Sequence, residues 1–122
     1  MKIYSFEKLT VWQKSRKLSF VIYKVTKAFP KEEIFGLTSQ MRRSAISISS
    51  NIAEGSGRHS AKDKARFSEI AYGSALELLN QIILFKDLEF VSNENYNEIR
   101  SEIEEITSML DSLYKSQLKP TL

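Results

Sequence analysis

The sequence predicts an all-α fold, a single-domain antiparallel four-helix bundle with up-down-up-down order. Four separate segments repeat apolar residues at helical spacing. No segment alternates polar and apolar residues over the length of a strand. The connections between the segments are short, which favours antiparallel neighbours. The chain has 122 residues, enough for one domain that buries its own core.

The first two helices are predicted at residues 7–29 and 37–55. The stripe of the first is Val11, Leu18, Ile22, Val25 and Phe29, with Trp12 also buried. This helix should end before Pro30, because a proline moves the preceding residue out of the helical region. The stripe of the second is Leu37, Met41, Ala45, Ile48 and Ile52. Gly55 and Gly57 are predicted to end it in left-handed conformations.

The last two helices are predicted at residues 61–89 and 93–117. Ser60 and Asp63 have the spacing of a capping box, and Ser92 is placed to cap the fourth helix. The stripes are Phe67, Ile70 or Ala71, Ser74, Leu78, Ile82 and Phe85, then Ile99, Ile103, Ile106, Leu110 and Leu113. A second apolar row, Leu76, Leu79 and Ile83, predicts that the third helix is the most widely buried. Gly73 and Ser74 suggest a close helix contact, and Pro120 suits a stop.

Residue types exclude most catalytic chemistry. The chain has no cysteine and a single histidine, His59, and no Glu-x-x-His pair of the kind that builds di-iron sites in bundles. Phosphate-loop and dinucleotide motifs are absent as well. We therefore expect no enzyme, no metal and no cofactor. The start of the chain lacks the pattern of a signal peptide and the apolar runs are too short to span a membrane, so a cytoplasmic, non-membrane protein is expected.

Charge is distributed unevenly along the chain. Met1–Arg66 has fourteen Lys or Arg and five Asp or Glu, a balance of +9, whereas residues 67–122 have four and ten, a balance of −6. The two balances sum to the net charge of +3. Two interpretations fit this asymmetry. A basic face binds an anionic partner, or basic and acidic helices attract each other within the bundle.

Two surfaces are candidates for binding. Basic residues around the second connection, next to a helix N-terminus, suit phosphate contacts that ignore base sequence; they are Arg42, Arg43, Arg58, Lys62, Lys64 and Arg66. A solvated helix start is the alternative. No aromatic residue is interleaved with them except Phe67, which the core requires, so base stacking is not expected.

The outer side of the second helix is the other candidate, because it is small and polar where an exposed helix would have Lys and Glu. We predict that it contacts another subunit through Arg43, Ser47, Ser50, Asn51 and Glu54. Arg43 of one copy and Glu54 of the next are placed to pair across that contact. A solvent-exposed helix that is merely rich in serine is the alternative.

A family resemblance rests on the same residues. The pattern Gln-x-x-Arg-x-x-x-Ser-x-x-x-Asn-Ile-Ala-Glu-Gly at 40–55, together with residues 9–14 and 70–78, resembles the 23S rRNA intervening-sequence protein family. The resemblance implies a helical bundle that assembles into a ring, expected to be a homopentamer. That family is similar to the accessory variability proteins of diversity-generating retroelements, which bind nucleic acid and a reverse transcriptase.

The expected function is therefore a non-enzymatic oligomeric scaffold that binds RNA or DNA through backbone charge. The alternative is an adaptor for a protein partner, for example a reverse transcriptase or a ribosomal factor, with no nucleic-acid binding of its own.

Overall fold

Four helices pack side by side in chain order. The computed structural model describes residues 1–119, and within that range the helices are α1 (Thr10–Thr26), α2 (Leu37–Ser56), α3 (Ala61–Asp87) and α4 (Asn93–Leu118), with no strand. Each helix contacts the next one, and α1 also contacts α4. The predicted all-α four-helix bundle is confirmed. Pro120, the predicted stop after the fourth helix, lies outside the described residues.

The core lies along the predicted stripes, but Phe67 was wrongly assigned to it, because this residue is only half-buried and lies outside the core cluster. Fully buried side chains come from every helix and include Leu18, Ile22, Met41, Ile48, Leu78, Ile82, Phe85, Ile99, Ile103, Ile106 and Leu110. The alternating steps of four and three along α4 place one row of residues on a single face, and that row is buried from Ile99 to Leu110. Trp12 is only half-buried at the edge of this core.

The first helix is shorter than predicted at both ends. Ser5–Lys8 form a separate 3₁₀ turn, since Leu9 is extended (φ −74°, ψ 124°) and interrupts the helix. The Glu7 carboxylate accepts the Tyr4 N–H at 2.8 Å and holds this turn closed. After Thr26 the chain tightens into bonds between residues three apart, so Phe29 is buried in the core although it lies outside the helix.

The prediction that glycines end α2 in left-handed conformations was wrong. Gly57 is right-handed (φ −88°, ψ −3°), and no glycine of residues 1–119 has a positive φ. Gly55 instead permits two helices to touch, because a Cβ added there would lie 2.6 Å from the Phe67 Cβ of α3. The left-handed residue is Glu89 (φ 63°), which follows α3 and helps to end that helix at Asp87.

Two details of α3 also differ from prediction. The second apolar row is not buried throughout, because Leu76 is 45% exposed. Gly73 lies in open space, with nothing within 4 Å of an added Cβ, so it makes no close helix contact. The small residues that do face the core are Ala71, Ser74 and Ala75.

The predicted N-caps of α3 and α4 are confirmed. Ser60 Oγ accepts the Asp63 N–H at 3.0 Å, and Ser92 Oγ accepts the Asn95 N–H at 3.1 Å. Each bond satisfies one of the backbone donors that a helix start leaves without a partner. Across residues 1–119, no helix combines the length and the apolar character needed to cross a membrane.

Candidate nucleic-acid interface

The topology gathers three chain segments at one end of the bundle. The N-terminal segment, the α2–α3 connection and the end of α4 lie at this end, which we call the basic end. Its cations are Lys2, Lys8, Arg58, Lys62, Lys64, Arg66, Lys115 and Lys119, against the acids Glu7, Glu54, Asp63, Glu69 and Asp111. The basic end therefore carries a net positive charge.

Four residues of the predicted phosphate-binding set lie together at the start of α3. The Arg58 guanidinium packs over the Phe67 ring, 4.4 Å from its centroid. Lys62 and Arg66 line one shallow groove with Tyr114 of α4 and with the acids Asp63 and Glu69. Lys64 is half-buried. Among the residues that the structure describes, none of these four cations forms an ion pair. Their charge is therefore available to an external anion.

The structure divides the predicted set of six, because Arg42 and Arg43 lie far from the other four. Arg42 lies fourteen residues before Ser56, the last residue of α2, which is about 21 Å at 1.5 Å per residue, and Arg58 lies beyond that end. The Arg42 Nε donates to Thr26 Oγ1 at 2.8 Å, and its guanidinium lies 4.5 Å from the Tyr23 ring centroid. Arg42 thus joins α2 to α1, while Arg43 is exposed.

The predicted subunit-contact residues also divide into two groups. Ser47 Oγ shares a 2.8 Å hydrogen bond with Ser74 Oγ, and Asn51 Nδ2 donates to the Ser47 carbonyl oxygen at 2.8 Å. Ser47 therefore serves the contact between α2 and α3 inside one chain, and Asn51 bonds to Ser47 within α2. Arg43, Ser50 and Glu54 are exposed. Arg43 and Glu54 are eleven residues apart, about 16 Å along α2, too far to pair within one chain.

The connection between α1 and α2 exposes two adjacent apolar side chains next to Arg43 of α2. Phe35 is 96% exposed and Ile34 is 51% exposed. Both line a groove with Tyr23, Arg43 and Ile46. Contiguous exposed apolar side chains with a polar rim are typical of interaction surfaces.

Ion pairs inside the bundle neutralise little of the charge asymmetry. Residues 1–119 contain three, and only Lys14 with Glu105, at 2.9 Å, joins the basic part of the chain to the acidic part. The hydrogen bond to Glu105 raises the pKa of Lys14. Within α4, the Tyr96 hydroxyl and then Glu104 raise the pKa of Arg100 in the same way. Attraction between basic and acidic helices therefore accounts for only one ion pair in the described residues. Most of the basic residues face solvent.

Sequence reasoning missed the outer face of α1. No Asp or Glu occurs between Lys8 and Lys31, and Phe20 on this helix is 69% exposed. The Arg16 guanidinium lies 5.5 Å from the centroid of the half-buried Trp12 ring. The absence of Asp and Glu from residues 9–30 indicates a basic helix face. A charge balance taken over each half of the chain does not reveal it.

The described residues show no cluster of metal-ligating side chains. Residues 1–119 contain no group of three or more His, Asp or Glu side chains placed to hold a metal ion. His59, the single histidine, is exposed in the α2–α3 connection.

Comparisons with known proteins agree with the fold. The family model described as 23S rRNA-intervening sequence protein matches residues 7–112. A crystal structure of a protein of unknown function from the S23 ribosomal protein family of Bacteroides thetaiotaomicron is similar, with a TM-score of 0.81 and 28% identity. That similarity covers 87% of this chain and 99% of the other. No protein with a curated description matches.

Proposed function

The chain belongs to the 23S rRNA-intervening sequence protein family, and we propose that it is a non-enzymatic, self-associating scaffold that binds RNA or DNA through the phosphate backbone. The observation that carries the proposal is the group Arg58, Lys62, Lys64 and Arg66, which has no ion pair among residues 1–119. These cations surround the N-terminus of α3, where backbone N–H groups and the helix dipole also favour an anion.

Phosphate contacts of this kind give affinity without sequence choice. Binding releases counterions from the nucleic acid, so affinity falls steeply as salt rises. Hydrogen bonds to phosphate position a protein on nucleic acid but carry no base information. A backbone-binding scaffold that accepts RNA and DNA alike follows from this chemistry.

Self-association would multiply these weak contacts. We propose a homo-oligomer, and the family resemblance favours a pentameric ring. A subunit contact is supported by the exposed α2 residues Arg43, Ser50 and Glu54. It is also supported by the exposed Ile34 and Phe35, which line one groove with Arg43. Each added subunit presents another basic end, so that one nucleic-acid strand engages several ends at a high effective concentration.

The test is a gel-shift titration with single-stranded RNA and DNA at low and at moderate salt. The wild type should bind both at low salt, and the triple variant K62A/K64A/R66A should bind all sequences more weakly. The matched control is K24A/K27A/K31A, which removes the same charge near the opposite end of the bundle and should bind as the wild type does. Absence of binding at low salt, or equal weakening by the two triple variants, would contradict the proposal.

A second candidate function is an adaptor for a protein partner. It is favoured by Phe35, which presents almost its whole side chain to solvent. An adaptor of this kind would bind neither RNA nor DNA at low salt, and it would leave the basic end as a solvated surface. The gel-shift titration therefore separates the two functions directly.

A further inference from the structure

We infer that the outer face of α1 forms a stacking groove for single-stranded nucleic acid. This inference rests on the proposed function and deepens it, because it names the form of nucleic acid that binds. The groove, which we call the α1 groove, is lined by Glu7, Trp12, Gln13, Arg16, Lys17 and Phe20. None of its cations belongs to the group at the start of α3.

The rim of the α1 groove is held in place by local contacts. The Phe6 ring packs edge-on against Trp12, with centroids 5.0 Å apart and an interplanar angle of 70°. Gln13 Nε2 donates to the Glu7 carbonyl oxygen at 2.9 Å, which ties the 3₁₀ turn to α1. The Trp12 ring is therefore oriented before any ligand arrives.

Phe20 provides a second ring in the same groove. It follows Trp12 by eight residues, about 12 Å along the helix, and is 69% exposed. Within residues 1–119 it has no aromatic partner. The two rings are about 80° apart around the axis of α1 and line one groove. Each can receive a base, because every base has a flat face that stacks on an aromatic side chain.

The charge of the α1 groove selects an anionic ligand. Arg16 and Lys17 are exposed, and neither forms an ion pair in the described part of the chain. The Arg16 guanidinium lies 5.5 Å from the Trp12 ring centroid, so a base that stacks on this ring must displace it toward the phosphate backbone. The one acid in the lining is Glu7, whose carboxylate already accepts the Tyr4 N–H at 2.8 Å. An apolar protein segment would cover these two cations without compensation, at a desolvation cost. A strand with bases for the rings and phosphates for the cations satisfies both features.

Single strands are favoured over duplexes for a geometric reason. Bases in a duplex are stacked on one another inside the helix, so their faces cannot reach Trp12 or Phe20. A duplex can use only the phosphate contacts, which both forms offer. The α1 groove therefore adds affinity for single strands alone.

The test uses Trp12, which is the one tryptophan of the chain. Adding a single-stranded oligonucleotide to the full-length protein should quench its fluorescence to saturation, whereas a duplex of equal length should quench it little. Phe20→Ala should weaken single-strand binding about tenfold, a typical loss for one stacked base, and leave duplex binding unchanged. The matched control is Leu84→Ala, which truncates an exposed apolar residue of α3 and should bind as the wild type does.

Three outcomes would overturn the inference. If Phe20→Ala and Arg16→Ala bind single strands like the wild type while K62A/K64A/R66A binds weakly, the α1 groove is not used and the proposed function stands. If no nucleic acid binds at low salt, both fail together. If Phe20→Ala lowers the mass seen by light scattering, the α1 groove is covered by a second copy of the chain instead.

Discussion

Replacing each of two helical glycines by alanine should shift stability in opposite directions. Gly73 lies inside α3 with nothing within 4 Å of an added Cβ. Gly73→Ala should therefore stabilise the protein by about 0.8–1 kcal/mol, the usual penalty of glycine inside a helix. Gly55 in α2 is buried against α3, and the same methyl group would lie 2.6 Å from the Phe67 Cβ.

The expected cost at Gly55 follows from that distance. Ordinary van der Waals contact begins at 3.4 Å, so α2 and α3 must separate by about 0.8 Å, the difference between the two values. The Phe67 Cβ is bonded to the backbone and cannot rotate away. Overpacking of this kind costs about 1–3 kcal/mol, and the gain in helix propensity offsets part of it. Since both variants share that gain, they should differ by about 1–3 kcal/mol.

Urea unfolding followed by far-ultraviolet circular dichroism measures this difference. Both variants and the wild type should be compared at one protein concentration, because self-association makes stability depend on concentration. The midpoint should rise for Gly73→Ala and fall for Gly55→Ala, with unchanged slopes. Equal shifts in the same direction would show that α2 and α3 do not approach closely at Gly55.

Further predictions concern the core, the subunit contact and the α1–α2 link. Ile103→Ala should cost about 2–5 kcal/mol in urea unfolding, because Ile103 is 1% exposed; a cost below 1 kcal/mol would contradict its place in the core. Ser50→Arg should lower the mass seen by light scattering while Ser50→Ala leaves it unchanged, and equal masses would exclude Ser50 from the contact. Arg42→Ala should lower the free energy of unfolding by about 1–3 kcal/mol, because the hydrogen bond to Thr26 Oγ1 is lost. Its affinity for nucleic acid should equal that of the wild type, and a weaker affinity would show that Arg42 belongs to the binding site.

The elements that the sequence predicted correctly depend on local information. The alternating steps of Ile99, Ile103 and Ile106 specify one buried face whatever packs against it. The caps at Ser60 and Ser92 depend only on residues three positions away. Periodicity and capping are properties of a single helix, so they can be found without a neighbour.

The features that the sequence predicted wrongly depend on how two helices pack against each other. The role of Gly55 is set by Phe67 of another helix, which spacing along the chain does not reveal. Leu76 lies on the outward side of α3. This helix has apolar residues on its exposed side as well as on its buried side, so hydropathy alone does not separate the two. The six predicted cations are close in sequence, but fourteen helical residues separate Arg42 from the end of α2 at Ser56, which places it about 21 Å from that end.

Salt dependence of RNA binding tests the central claim most directly. The logarithm of affinity should fall linearly with the logarithm of salt concentration, with a slope of about −0.7 for each phosphate neutralised on a single strand. In K62A/K64A/R66A the slope should become shallower by up to about 2 per engaged subunit, while K24A/K27A/K31A keeps the wild-type slope. A wild type that fails to bind RNA at low salt, or a slope that the first triple variant leaves unchanged, would contradict backbone binding by the basic end.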